Sequence, residues 1–352
     1  MRVSIVMAVY NGEKYLSAQL ESIREQTVLP FELIAVDDCS TDSSPAILSE
    51  FAKRAPFSVR IIRTPGNLGG GSKFGYGQVF MVGMESARGD VVFFSDQDDY
   101  WFKEKLSRHL EIYQEFPDMG CVINDAILTD EKLEHSGFTQ FDLFKLRKLD
   151  YAHNVLGSCT SVKRSLMQLF MPVPKFMAHD VLLGQCMTSY GLRYELRSPL
   201  QYYRRHVHSA MSGMFKGFIL NRLSFANTVH KPGAALLFLS DWYVRLSFFL
   251  SASKSGYESE LMALTETHKF GTRLLSDSGL GILINKERVL SQIADIESKI
   301  NLLREEIGLS GLSFVNRLKR VLGFIKSNRL PKNKSGILRA IKDLFYPTLR
   351  KD

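Results

Sequence analysis

Residues 96–99 read Asp-Gln-Asp-Asp and follow four apolar residues, Val91 to Phe94, in the stretch VVFFSDQDDYW. Carboxylates this close repel one another unless a positive group or water holds them together. Along extended backbone the side-chain period is two, so Asp96 and Asp98 fall on one side and can converge on one hard cation. Oxygen ligands of this kind suit magnesium or manganese, which keep open positions for substrate phosphates. The plain alternative is a solvated turn whose acids cap the next helix. A second acidic pair, Asp37 and Asp38, ends the apolar run FELIAVDD.

The elements that must position these acids alternate in type. VSIVMAVY (3–10) reads as a buried strand, and Leu16, Leu20 and Ile23 recur at helical spacing after the turn Asn11-Gly12. FELIAVDD (31–38) is a second strand, STDSSPAILSEFAKRA a capped helix, VRIIRT (59–64) a third strand and DVVFFSD (90–96) a fourth. Buried strands alternating with helices predict an α/β fold with a mostly parallel sheet covered on both faces. Ligands bind such sheets beyond the carboxyl ends of the strands. Asp37, Asp38, Asp96, Asp98 and Asp99 all fall there, on one rim.

From about 101 to 210 the pattern is less regular. MGCVINDAILTD (119–130) predicts another strand with Asp125 just past it. NVLGSCTSVKRSLMQLF pairs a small-residue turn with a helix, MAHDVLLGQCMTSYG puts His179 and Asp180 at a helix start, and LRYELRSPLQYYRRHVHSAMSG reads as a strand followed by a basic loop. Six glycines between 66 and 77 either permit close backbone approach or give a mobile loop.

Composition narrows the class. At 352 residues, 45% hydrophobic and 23% charged, the chain is globular, with room for two domains. Cys39, Cys121, Cys159 and Cys186 are scattered and form no C-x-x-C pair, which points to reduced thiols in a cytosolic setting and against a thiolate zinc cage. The opening MRVSIVMAVY reads as a first strand, too short for a signal peptide.

The net charge of +8 is a property of the tail: residues 311–352 hold eleven Lys/Arg against two Asp, +9, so the remainder sums to −1. Phe314, Val315, Leu318, Val321, Leu322 and Ile325 share one helical face, and basic residues flank it. That pattern fits a helix lying in an anionic membrane surface, or one packed on the domain with a solvated basic side. The apolar stretch 234–250 is broken by Asp241 and Arg245 and is short for a bilayer span. Val289, Ile293, Ile296, Ile300, Leu303 and Ile307 form a heptad seam over 289–307 for one partner helix, internal or on a second subunit as a homodimer. No aromatic platform or recognition helix speaks for nucleic acid.

Four motifs in order, VSIVMAVYNGEKYLSAQLESIREQT, LIAVDDCSTDSS, NLG and ARGDVVFFSDQDDYWFKEKL, resemble the inverting nucleotide-sugar glycosyltransferases of family 2. The branch is that of the rhamnosyltransferases of cell-surface polysaccharide assembly, and the likeness runs over about residues 1–210. It implies the GT-A fold, a Rossmann-like mixed sheet, in residues 1–225, with a nucleotide-binding half (1–100), an acceptor-binding half (101–225) and a helical region at 226–352. It also implies a UDP- or dTDP-linked sugar donor and a divalent ion, Mn2+ or Mg2+.

Residue by residue, the resemblance implies that Ala8, Tyr10 and Glu13 line the nucleoside pocket, with Tyr10 near the base. Asp38 accepts hydrogen bonds from the pyrimidine and Asp37 supports its loop. Asp98 takes the direct metal bond, Asp96 the ribose and a supporting metal role, and Gln97 lies on the donor side. Asp99, Trp101 and Lys105 serve architecture or the acceptor. Asn67 and Gly69 fit the NxG motif, while Lys73 replaces an expected neutral polar residue and either approaches the diphosphate or stays exposed.

Asp180 matches the family's base, which takes a proton from the acceptor hydroxyl during inverting attack. A helix N-terminus stabilises that carboxylate but lowers its proton affinity, and desolvation by the acceptor has to compensate. His179 orients Asp180 or caps the helix. Arg204, Arg205 and His206 belong to a loop expected to close over the diphosphate, with His206 as a further metal ligand. Asp125, Gly157 and Ser158 are expected along the acceptor cleft.

The reading is thus an inverting glycosyltransferase acting on a lipid-linked surface glycan at the inner face of the cytoplasmic membrane, peripherally attached through residues 311–352. Its rival is a non-catalytic nucleotide-sugar-binding scaffold of the same fold. A Rossmann dehydrogenase is disfavoured, because VMAVYNGEKY stands where G-x-G-x-x-G would follow the first strand.

Overall fold

Each of the four apolar runs is a strand in the computed structural model, which describes residues 1–70, 75–147, 156–175, 177–206, 254–277 and 285–310. Strands β1 (Val3–Val9), β2 (Glu32–Asp37), β3 (Ser58–Arg63) and β4 (Val91–Ser95) pair in parallel in the order β3-β2-β1-β4. β2 and β4 are buried throughout, so both faces call for apolar side chains and the sequence shows runs without alternation. Helices α1 (Leu16–Arg24), α2 (Ser44–Arg54) and α3 (Gly75–Ser86) make the crossovers.

The two faces are packed differently. Leu16, Leu20, Leu48 and Phe51 cover one face together with Ile5, Met7, Leu33 and Phe93. On the other, α3 lies directly on β1: a Cβ at Gly83 would meet Val6 Cγ1 at 2.3 Å, so any side chain there would lift the helix off the sheet. The register sets Val9 beside Asp37 and Met7 beside Ser95, which brings the strand ends level and forms the rim.

Beyond β4 the sheet turns mixed. The further elements are β5 (Tyr100–Trp101), α4 (Lys105–Glu115), β6 (Cys121–Thr129), β7 (His135–Thr139), α5 (Gln140–Arg147), β8 (Thr160–Lys163), α6 (Arg164–Phe170), α7 (His179–Ser189) and β9 (Arg193–Arg204). The nine-stranded order is β3-β2-β1-β4-β8-β6-β9-β5, with β7 on β6. β8 runs antiparallel to both neighbours, and β9 runs parallel to β6. A parallel first half joined to a mixed second half makes the mixed α/β sheet that the strand and helix pattern predicts.

Asp125 departs from expectation. It lies within β6, not past its end, at a register shift against β9. The bulge frees backbone donors, and Asp125 Oδ1 accepts from Ala126 N at 2.8 Å and from Phe141 N at 3.0 Å. A carboxylate can sit inside a strand when the first turn of a helix, here α5, supplies donors.

Helices α8 (Lys254–Ser276) and α9 (Lys286–Ser310) follow. The chain divides into two compact units, Met1–Leu223 with Lys269–Gln292 and Ser224–His268 with Ile293–Asp352. In the first, Phe270 is buried with its ring 5.7 Å from Tyr190, and Arg273 donates to the carbonyl of Leu169 at 2.7 Å. In the second, His268 and Glu297 are 3.0 Å apart, and Ile296, Ile300 and Leu303 of the heptad seam are buried within the single chain. No described helix is long and apolar enough to cross a membrane. The expectations for 234–250 and for the basic tail 311–352 fall outside the described residues.

Candidate active site

At the end of β2, Asp37 and Asp38 are both buried and both fully engaged. Asp37 accepts from Ser40 N at 3.0 Å and pairs with Arg63 at 2.7 Å. Asp38 accepts from the Thr64 hydroxyl (2.8 Å), Leu68 N (2.7 Å) and Gly69 N (2.7 Å), so the NLG segment with Asn67 wraps around its carboxylate. Glu13 accepts from Ser43 N at 3.0 Å, at the start of α2. Ala8 is half-buried and Tyr10 is 46% exposed on the rim. Lys73 lies outside the described residues.

Gln97 does something other than face a donor. Its Oε1 accepts from Tyr10 N at 2.9 Å and its Nε2 donates to the Tyr10 carbonyl at 3.0 Å, which ties the end of β1 to the Asp-Gln-Asp-Asp turn.

Beneath that turn lies a positive charge that spacing alone does not reveal. Lys105, the first residue of α4, is fully buried. Its Nζ donates to the Ser158 carbonyl at 2.5 Å and to Oε1 of Gln201, and sits 3.9 Å from the centre of the Trp101 ring. Gln201 Nε2 in turn donates to Asp99 at 2.8 Å and to the Ser158 hydroxyl at 3.1 Å. Burial pushes the Asp99 carboxyl well above the usual range, with Asp96 and Asp98 adding to the effect. Burial likewise draws the Lys105 ammonium down to about 8, against the pull of nearby negative charge. Asp99 and Trp101 are 0% and 1% exposed, inside this buried network.

Asp96 and Asp98 remain toward the opening. Burial, then the charges of Asp98 and Asp180, push the Asp96 carboxyl up to about 7. Asp98 Oδ2 lies 2.7 Å from His206 Nε2, and both side chains keep some exposure. One carboxylate oxygen and one imidazole nitrogen within contact distance fit two ligand positions of a divalent ion. Among the described residues no group of three or more His, Cys, Asp or Glu surrounds a common point, so any remaining positions would fall to substrate or water.

Opposite, α7 presents Asp180 in its first turn. Its Oδ1 accepts from Val181 N at 2.9 Å and Oδ2 from Gly157 N at 3.2 Å. Gly157 begins a short 3-10 turn over Gly157–Cys159 that also carries buried Ser158. His179 neither orients Asp180 nor caps the helix by hydrogen bonding. Its ring stacks on Phe80 at 4.2 Å and meets Phe94 edge-on at 4.8 Å, and both ring nitrogens are buried without a partner among the described residues. Burial lowers its proton affinity.

Arg204 is held at three points. Its backbone N–H reaches Asp99 at 3.3 Å, Nε reaches the Asp98 carbonyl at 2.8 Å, and Nη1 reaches the Glu131 carbonyl. It thus pins β9 to the acidic turn. Arg205 follows with its guanidinium 5.5 Å from the Tyr203 ring centre. Tyr15, unremarked in the sequence, packs under Arg204 at 4.5 Å and against His206 at 4.9 Å. Gln201 was also unmarked, since a glutamine in SPLQYYRR gives no signal until β9 pairs with β5.

Residues 4–170 match the model of glycosyl transferase family 2. This segment is a family 2 glycosyl transferase domain. The match holds Asp38 and the Asp96–Asp99 turn and stops before Asp180 and the Arg204–His206 loop. A stretch of 141 residues is 34% identical to an uncharacterized glycosyltransferase of Nostoc, alr2836, covering 40% of this chain and 42% of that protein. Another of 147 residues is 33% identical to the dTDP-rhamnosyl transferase RfbG of Shigella flexneri, covering 39% and 49%. The chain spans under half the length of these two curated relatives. Among solved structures, Staphylococcus aureus TarS 1-349 in complex with UDP-GlcNAc is 18% identical, with a TM-score of 0.49 over 87% of this chain and 90% of that one.

Proposed function

We propose that the chain is an inverting glycosyltransferase, hexosyl or rhamnosyl, that moves a sugar from a UDP- or dTDP-sugar to a hydroxyl of a growing, lipid-linked surface glycan. The observation that carries this reading is one chain of contacts: Asp180 accepts from Gly157 N, and the next residue, Ser158, is bonded through Gln201 to Asp99 of the acidic turn, so that the charge of Asp180 reaches Asp96 at the end of β4. A metal-type acid and a base-type acid therefore share one space at the carboxyl ends of the strands, where α/β sheets bind ligands. The family 2 domain supports it, as does the dTDP-rhamnosyl activity that RfbG's name records.

In this mechanism Asp98 and His206 would hold a divalent ion, with Asp96 beside them. When bound, the ion neutralises negative charge on the donor diphosphate and its developing oxyanion. Asp180 is aimed by the backbone N–H groups of Val181 and Gly157, which leave carboxylate lone pairs for an acceptor hydroxyl. It takes the hydroxyl proton as the acceptor oxygen bonds to the anomeric carbon; the bond from that carbon to the diphosphate breaks, and its electron pair leaves with the diphosphate. Arg204 keeps the His206 loop over the acidic turn. The tail 311–352 holds the enzyme against the anionic inner face of the cytoplasmic membrane.

The test is a panel of UDP-, dTDP- and GDP-sugars with Mn2+ or Mg2+, following release of nucleoside diphosphate and protection against thermal unfolding. Metal-dependent protection and release with one nucleotide series are expected. Protection without release under any acceptor would point to the scaffold instead, and no protection at all would sink the donor site.

A further inference from the structure

Between the nucleotide rim and the Asp180 helix lies a side chain that no motif marks. Tyr76 is the second residue of α3, in the segment Gly75-Tyr76-Gly77. The two glycines fix its place by what they allow to approach. A Cβ on Gly75 would lie 2.6 Å from the carbonyl oxygens of Leu68 and Gly69, so the absence of a side chain lets α3 begin against the loop that wraps Asp38. A Cβ on Gly77 would lie 3.3 Å from His179 N and the Met177 carbonyl, so the next residue abuts the start of the Asp180 helix. Tyr76 is the one residue of the three with a side chain, at the junction of both.

That side chain is half-buried, and its ring meets His179 edge-on at 6.5 Å. Its hydroxyl makes no hydrogen bond among the described residues. Burial first, and then the charges of Asp180 and Asp96, raise the proton affinity of the phenol and keep it protonated. A neutral O–H near two carboxylates, with no partner among the described residues, can donate to a ligand.

We propose that Tyr76 is a specificity-determining residue that donates a hydrogen bond to a hydroxyl of the transferred sugar. The inference rests on the donor-site reading above. With the diphosphate at Asp98 and the base at Asp180, the sugar would lie between Asp96 and Asp180, the two acids whose charges reach the phenol. A buried polar group built to bond a substrate hydroxyl rejects analogues that lack it, because the group is then left unpaired.

The experiment compares the full chain with Tyr76→Phe, which keeps ring and packing, and with Tyr76→Ala. UDP and dTDP binding with Mn2+ is measured by calorimetry, and turnover is measured with UDP-glucose, UDP-N-acetylglucosamine and dTDP-rhamnose. Expected is nucleoside-diphosphate affinity in Tyr76→Phe within about two-fold of the parent, with kcat/KM for the working sugar nucleotide down about ten-fold, the scale of one hydrogen bond. Discrimination between the working sugar and its deoxy analogue should collapse in the same variant. Unchanged kcat/KM and unchanged discrimination, with nucleotide binding intact, overturn the role of Tyr76 alone. If the parent chain binds neither nucleotide with metal, the donor-site reading falls and this inference with it.

Discussion

Asp37 and Asp38 at the end of β2 and the trio Asp96, Asp98 and Asp180 occupy one rim, yet they are wired in opposite ways. The first pair is saturated by its own neighbourhood: Arg63, Ser40, Thr64, Leu68 and Gly69 meet its oxygens. In the trio, Asp98 has a histidine, Asp180 has two backbone N–H groups, and Asp96 is pushed toward protonation by burial and then by the charges of the other two. Satisfied acids shape a loop, whereas acids that crowd one another store a demand for positive charge. Under the proposed function, the difference separates scaffold from reaction centre more sharply than position along a strand does.

Replacement of single acids is the way to break this contrast. Asp180→Asn should lower turnover about a thousand-fold, within the range for losing a general base, with UDP or dTDP affinity in Mn2+ unchanged by calorimetry. A fall in nucleotide affinity of the same size would place Asp180 on the scaffold side. Lys105→Met should destabilise the fold by about 3 kcal/mol in urea titration, because it leaves buried Asp99 and its neighbours without their internal counter-charge. A neutral result would mean that Asp99 is already protonated and needs no lysine.

Smaller effects sharpen the contrast. Wild-type protein with nucleoside diphosphate and Mn2+ at a hundred times Kd gains about 2.7 kcal/mol of stability, and Asp98→Ala should lose that gain in a thermal melt while keeping its apo midpoint. Asp38→Asn, by contrast, should cost about 2 kcal/mol without any ligand, since it breaks a network of buried hydrogen bonds around 64–69. An apo stability like that of the parent would show that the pair is not saturated after all.

The apolar runs showed where β1, β2 and β4 lie because these are buried on both faces, and pattern alone reports such burial; β3, at the sheet edge and part-exposed, was legible from its β-branched residues and its place in the alternation. The acids at their ends were legible for the same reason. Lys105 was visible as a residue but not as a counter-ion: its burial depends on Trp101 nearby and on Gln201, whose partner Asp99 is 102 positions away. Asp125 looked like a strand terminator because carboxylates seldom sit inside strands, and only the bulge and the start of α5 reverse that expectation. Tyr76 was hidden among glycines, whose meaning lies in which backbones they admit.

The side chain of Gln97 makes the two bonds to Tyr10 that a neighbouring peptide unit would make, just beyond the last backbone pairing of β1 with β4. An amide thus impersonates one more rung of the ladder. The imitation needs clear ground: a Cβ at Gly12 would come within 2.3 Å of Gln97 Oε1. Positions 12 and 97 are therefore one decision written in two places, and natural variants should change them together or not at all.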